Sequence, residues 1–501
     1  MLGSEGDQLK MARIGRETTL SRRQLLSSLG ATGVGLLASA CISAPASAPT
    51  AAPNPPTAGA ANSASTPAAA GAPSGASTPA AAAKPSITGS IAYFDTDDDP
   101  ASSAWHDKFH ADFTAMYPGV QIEDTHIPSS DYQTKLTTAL ATGAHLDMLF
   151  WDTTNVPLLY EQGKLMPLND VMESIYASVG GKDKVQAQAL GIYTAGNGDI
   201  QGIPFYCEPI AWWFRQDLLQ ASGLTPPADH WDWNFLLQAA KATHKPPDVY
   251  GVGFPTGRNN GTQTPIMSFI LNNGGHLVSP DLKTVMFDSP EVREAYSLLK
   301  ELAQYLPPGT GSWANPQQVD AITHGTIANG HYFGRVFQNV SQQNPSIIGK
   351  LSNTLIPYNK QATVNNANWG AHCVFKSAQN PQGAKELLKF MFSKNEYIAY
   401  LASTPGLYAP VVTPYGSDPT YLADPTLKAF DPKMIANITA GSVNTANIVK
   451  EGADWQVNAK GATISSSLVV VDVLQKILVN NDSVESAVTW GAQQIDAIMK
   501  A

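Results

Sequence analysis

Ser90-Ile91-Ala92-Tyr93-Phe94, then Ala104 to Tyr117, then Val120-Gln121-Ile122-Glu123: the reading of this stretch decides the fold. The first piece is a short run of β-formers. In the second, Trp105, Phe109, Phe113 and Met116 recur at helical spacing until Pro118-Gly119 ends the helix, and the third alternates as a strand does. Further along, Asp131 to Thr142 reads as a helix, Leu146 to Trp151 as a short buried strand, and Val156 to Gln162 as another helix. Strands separated by helices imply an α/β fold with a parallel sheet covered on both faces.

A second alternation follows the linker at Gly163 to Asn169. Gly202-Ile203-Pro204-Phe205-Tyr206 and the apolar Ile210 to Phe214 lead into a helix at Asp232 to Thr243, a strand at Val249 to Phe254 and a helix at Ser289 to Tyr305. Ser289 caps the last of these with Pro290 in its first turn, and Asn380-Pro381 opens Gly383 to Ser393 in the same way. Leu468 to Leu478 and Val484 to Met499 read as tail helices, and no repeat of fixed period is present.

The head of the chain is of another kind. Ser21-Arg22-Arg23-Gln24-Leu25-Leu26 is a paired-arginine segment followed by small and apolar residues up to Ala40, an export signal of twin-arginine type. The apolar run is about half of what a bilayer span needs and is rich in Gly, Ser and Ala, so a cleaved signal is expected over residues 1–40. Leu36-Leu37-Ala38-Ser39-Ala40-Cys41 places small residues at the cut and a thiol where a lipoprotein is acylated, which makes Cys41 the expected lipidated first residue. Residues 41–86 are almost wholly Ala, Pro, Ser, Thr and Gly, with nothing to bury against the entropy of ordering them, and read as a disordered spacer.

About 415 residues remain, enough for two or three domains with a large core. Loss of residues 1–40 removes five basic residues (Lys10, Arg13, Arg16, Arg22, Arg23) and three acidic ones (Glu5, Asp7, Glu17), taking the formal charge from −10 to −12. An acidic body without a Lys/Arg block argues against nucleic acid and anionic membrane as partners. Beyond Cys41 only Cys207 and Cys373 occur, so no disulfide framework holds the fold, and two free buried thiols are favoured over one bridge.

From Ile87 onward the order of segments resembles the carbohydrate-binding solute-binding proteins of ABC importers, the class of maltose-binding protein. Five stretches carry the likeness: Tyr93 to Asp99 with Tyr117-Pro118-Gly119-Val120; Asp147 to Trp151 with Leu158 to Leu168; Ile203 to Leu219; Asn273-Gly274-Gly275 with Phe287-Asp288-Ser289-Pro290; and Asn368 to Gly406. The resemblance implies a two-lobed, type II-like periplasmic-binding-protein fold. Lobe I would hold 87–206 plus 373–412 and lobe II 207–372 plus 413–501, with Cys207 and Cys373 at hinge crossings. It implies a monomer that closes on a solute and hands it to the permease subunits of an importer, outside the cytoplasm and tethered through Cys41, in the periplasm or at the cell surface. No cofactor is implied.

A sugar offers C–H faces to aromatic rings and hydroxyls to carboxylates and amides. On that chemistry, and on the family's order of segments, the candidate ligand contacts are Trp151 and Asp152 at the end of the third strand, Glu208, Trp212, Tyr332 and Trp369. Trp212 and Trp213 are consecutive in a strand, so they face opposite ways and one belongs to the core. Asp95-Thr96-Asp97-Asp98-Asp99-Pro100 follows the first strand; its carboxylates could cap the next helix, bind Ca²⁺ or accept ligand hydroxyls, and Asp95 or Asp97 is the choice for the cleft.

Ten His residues show no metal-ligand spacing, and the chain lacks a Gly-x-Ser-x-Gly elbow, a His-Glu-x-x-His helix and a phosphate loop. No metal site and no catalytic residue are therefore expected. The competing readings are a receptor of the same fold for a non-sugar solute such as a polyamine, a peptide or a metal ion, and a secreted glycoside hydrolase with its paired carboxylates.

Overall fold

β1 (Gly89–Asp95) and β2 (Val120–His126) run parallel in register from Gly89 beside Val120 to Asp95 beside His126. Between them α1 (Pro100–Met116) crosses back over the sheet. Trp105, Phe109 and Phe113, four apart, are buried on its inner face, while Met116 is exposed. α2 (Ser129–Thr142) stops at Gly143, whose left-handed φ of 70° turns the chain toward β3 (Met148–Asp152), which lies parallel to β1. The structure, a computed structural model, describes residues 86–96, 100–227, 230–360 and 364–501, apart from the side chains at 100, 101, 129, 130, 133, 151 and 152. The expectations for the leader, Cys41, the spacer and Asp97 concern residues outside that set.

The sheet is mixed where the alternation of strands and helices suggests a parallel one. After β4 (Ile203–Glu208) the chain leaves for a second sheet, made of β5 (Ile210–Arg215), β6 (Asn329–Phe333) and β7 (Leu351–Thr354) in the order β6-β5-β7, with β5 antiparallel to both neighbours. It returns through the short β8 (Asn365–Asn366) into β9 (Asn368–Val374), which enters the first sheet from the far side and so runs antiparallel to both β3 and β4. β10 (Ala409–Pro410) completes the order β10-β4-β9-β3-β1-β2, and β11 (Thr445–Ala446) pairs with β8. The carboxyl ends of β1, β3 and β4 and the start of β9 therefore share one edge, facing the second lobe.

Two crossings are one residue long, Pro209 between β4 and β5 and Ala367 between β8 and β9. Asn365 ties them: its Oδ1 accepts from Ile210 N at 3.0 Å and its Nδ2 donates to Ile210 O at 2.7 Å. Cys207 and Cys373 lie within the sheet and not at the crossings. Cys207 stands opposite Trp369, four residues along β9 from Cys373, a separation of about 13 Å at strand rise that no disulfide spans. Both thiols are free and buried, and burial pushes both pKa values up.

β5 is covered on both faces. Trp212 joins a core with Phe269 and the helices Pro290–Leu302 and Val469–Leu478, while Trp213 points the other way, edge-on to Phe337. Both indoles are fully buried. Val249 to Phe254 forms no strand; it is held by the isolated bridges Val249–Lys245, Tyr250–Ile327 and Gly253–Gly330. Two of its six residues are glycine, which leaves few side-chain pairs to zip a ladder.

Candidate ligand-binding site

Alternation along β4 buries Phe205 and Cys207 and turns Tyr206 and Glu208 to the other side, both partly exposed. They face a cavity of about 420 Å³ between the two sheets. From the second lobe, the helix Asn260–Leu271 sends Asn260, Gln263, Thr264 and Met267 into it, spacings of three and four that make one helical face. Asn259 starts that helix by accepting from Thr262 N at 3.2 Å. Tyr332, Phe333 and Arg335 come from the end of β6, and Leu407 and Tyr408 from the turn before β10.

The first lobe builds an aromatic wall. Tyr206 stacks on Tyr408 with ring centroids 4.1 Å apart, and Tyr400 stacks behind Tyr408 at 5.0 Å. Phe150 meets Tyr206 at 5.5 Å. Such pairs contribute about 0.5–1.5 kcal/mol each beyond burial and hold the rings as one rigid shelf. Gly370, on β9 between Asp152 and Tyr206, makes room for it. A Cβ there would lie 2.7 Å from the Tyr206 ring and 2.8 Å from the Phe150 ring. Gly370→Ala is expected to cost about 1–3 kcal/mol of stability and to weaken ligand binding by displacing both rings, as thermal unfolding and a binding titration would read.

Among the described residues the polar part of the wall is mostly amides and hydroxyls, with Glu208 and Arg335 as its charged members. Burial raises the Tyr332 pKa, Arg335 opposes the rise and Glu208 adds to it, so the phenol stays neutral and able to donate. Thr153 Oγ1 accepts from Trp369 N at 2.9 Å and donates to Trp369 O at 3.0 Å, pinning the start of β9 against the end of β3.

The structure brings Glu208, Tyr332 and Trp369 to this cavity. Trp369 forms its floor and presents no exposed face: the ring is fully buried and its Nε1 donates to Thr445 Oγ1 at 3.2 Å. Two expected contacts lie elsewhere. Trp212 is in the second-lobe core, its Nε1 donating to Asn329 Oδ1 at 3.1 Å, because its side of β5 faces helices. Asp95 is fully buried at the end of β1 and turned toward α1, 2.8 Å from His106 Nε2. Its neighbour Thr96 reaches the cavity instead. Trp151 and Asp152 end β3 beside Ala371 and Gly370, with side chains outside the described set, as is Asp97.

Sequence reasoning missed Tyr206, Tyr408, Arg335 and the face of Asn260–Leu271. Tyr206 had a signal, since it stands two residues before Glu208 on one strand face. The others come from distant segments and carried none.

The fold and most of the chain have counterparts. The family model described as bacterial extracellular solute-binding protein matches residues 97–397. A putative ABC transporter periplasmic-binding protein of Escherichia coli K12, YcjN, is 19% identical over 401 residues, covering 78% of this chain and 89% of its own. A solute-binding protein from Thermotoga lettingae TMO bound with alpha-D-tagatose has a TM-score of 0.67 at 19% identity, covering 82% of this chain and 99% of its own. Maltose-bound MalE3 of T. maritima has a TM-score of 0.67 at 17% identity, with the same coverage. With a cavity between two α/β lobes and a family match over more than half its length, the chain belongs to the bacterial extracellular solute-binding proteins.

Proposed function

We propose that this chain captures a mono- or oligosaccharide between its lobes and delivers it, chemically unchanged, to the permease of an ABC importer. The observation that carries this reading is the pairing of the Tyr206–Tyr408 shelf with a rim of amides, hydroxyls and the Glu208 carboxylate around about 420 Å³. A ring face of C–H groups lies on such a shelf while its hydroxyls meet Asn260, Gln263, Asn368 and Glu208. Pro209 and Ala367 act as hinge points, and a ligand that touches both lobes stabilises the closed state by its differential affinity.

An extracellular solute-binding protein works outside the cytoplasm. In this reading the signal over residues 1–40 exports the chain, acylation at Cys41 holds it at the membrane as a monomer, and the Ala/Pro-rich spacer lets the lobes reach the permease.

A thermal-shift screen of sugars, polyamines and peptides is the direct test, because a ligand bound only by the native state raises its melting temperature. A shift with at least one sugar is expected, with no turnover of it. With that sugar, Tyr206→Ala should weaken binding by about 2 kcal/mol, roughly thirtyfold in Kd by calorimetry. A response confined to polyamines or peptides, or hydrolysis of the sugar, would remove the reading.

A further inference from the structure

Beyond the cavity, three imidazoles and two carboxylates meet at the sheet edge where β1 and β2 end beneath α1. His106 and His110 stand four apart on α1 and face the sheet together. Asp124 and His126 stand two apart on β2, opposite Tyr93 and Asp95 of β1. The Asp124 side chain is only 9% exposed, and neither carboxylate oxygen receives a well-formed hydrogen bond. Three imidazole nitrogens surround its Oδ2: His106 Nδ1 at 3.8 Å, His110 Nε2 at 3.5 Å and His126 Nε2 at 3.5 Å.

Those separations are too long for hydrogen bonds and suit a shared ion. Nitrogen and oxygen ligands about 2.0–2.1 Å from a tetrahedral Zn²⁺ lie roughly 3.3–3.5 Å from one another. One ligand atom each from His106, His110 and Asp124 falls within 4.8 Å of the others. Two contacts remain, both to Asp95: His126 Nδ1 lies 3.6 Å from its Oδ2, and the shorter one has the form of an outer-shell partner. His106 Nε2 lies 2.8 Å from Asp95 Oδ2, the carboxylate–histidine arrangement that fixes a metal-bound imidazole by its second nitrogen. His126, about a third exposed, leaves a way in from solvent.

We propose that His106, His110 and Asp124 bind one divalent transition-metal ion, zinc by ligand type, with the fourth position on the solvent side at His126 and Asp95 orienting His106. The site clamps β1, β2 and α1 together next to Thr96, the residue of this segment that reaches the sugar cavity. It is independent of the function proposed above, because no ligand of the ion lines that cavity.

The full chain, stripped with chelator and titrated with zinc chloride in a calorimeter, should bind one Zn²⁺ per chain with micromolar affinity or better. Its melting temperature should rise with the metal, and Co²⁺ in place of zinc should give the visible bands of a tetrahedral site. Asp124→Asn and His110→Ala should each weaken zinc binding at least a hundredfold. Asp95→Asn should weaken it by about ten- to a hundredfold, as outer-shell substitutions do. His126→Ala, at a partly exposed position, guards against failed folding and should also bind more weakly while melting like the stripped wild type. Absence of stoichiometric zinc binding by the stripped wild type overturns the proposal, as does wild-type affinity in Asp124→Asn or His126→Ala. A sugar response in the thermal-shift screen can survive either result, so the two readings fail separately.

Discussion

Replacing Asp147 by Ala is expected to destabilise the protein by about 3–5 kcal/mol, the usual result of removing one partner from a buried charged network. The carboxylate is fully buried. Its Oδ2 accepts from Ala92 N at 2.8 Å and lies 3.0 Å from His145 Nε2, while its Oδ1 accepts from Gln379 N at 2.6 Å and Asn380 N at 2.9 Å. One side chain thus joins β1 to the loop that caps the helix Pro381–Met391, where Asn380 accepts from Gly383 N. Alanine leaves three backbone N–H groups without their acceptor, that of Ala92 buried within the sheet and those of Gln379 and Asn380 part-buried on the loop. Asp147→Asn keeps the shape but turns an NH₂ toward a donor, and should cost about 1–3 kcal/mol. Urea unfolding followed by circular dichroism measures both, and a loss under 1 kcal/mol for Asp147→Ala would contradict the argument.

A comparable effect, about 3 kcal/mol, is expected from Gly334→Ala, where the two lobes touch. Gly334 follows β6, and a Cβ on it would sit 1.7 Å from the carbonyl oxygen of Gly406 and 2.6 Å from its carbonyl carbon. Both obstacles are backbone, so no rotamer change relieves the clash. Gly406 cannot move aside easily: it holds a left-handed φ of 82°, and Phe337 lies 2.4 Å from where its own Cβ would be. The contact adjoins Tyr332 and Arg335 on one side and Leu407 and Tyr408 on the other, so a wedge here pushes the cavity walls apart. Ligand affinity should fall together with the unfolding midpoint. Wild-type values for both would show that the lobes do not need this approach.

Much of the first lobe was legible because its signals are local. The spacing of Trp105, Phe109 and Phe113 and the stop at Pro118-Gly119 are properties of about fifteen consecutive residues, and α1 buries those three side chains. The direction of β9 was not legible, since it depends on the chain having gone to another sheet and come back. The same division runs through the site. Glu208 stood out as a carboxylate in an apolar stretch, and its strand face points to Tyr206. Trp212 misled because alternation tells that Trp212 and Trp213 face opposite ways, not that helices wait on both sides. Asp95 misled for a related reason: proximity to the strand end left open whether it turns to the cleft or to α1. The expectation of no metal-ligand spacing overlooked His106 and His110, four apart on one helix, because the carboxylate they meet, Asp124, is fourteen residues beyond His110, in a strand.

By itself the sequence determined the α/β class, the strands and helices of the first lobe, and the caps at Ser289 and Asn380, because periodicity and capping act over a few neighbouring residues. Only the tertiary structure decided which aromatics form a wall and which fill a core, where the chain crosses between lobes, and that three histidines converge on Asp124. Those outcomes depend on contacts between segments up to hundreds of residues apart, whose free energies no local pattern encodes.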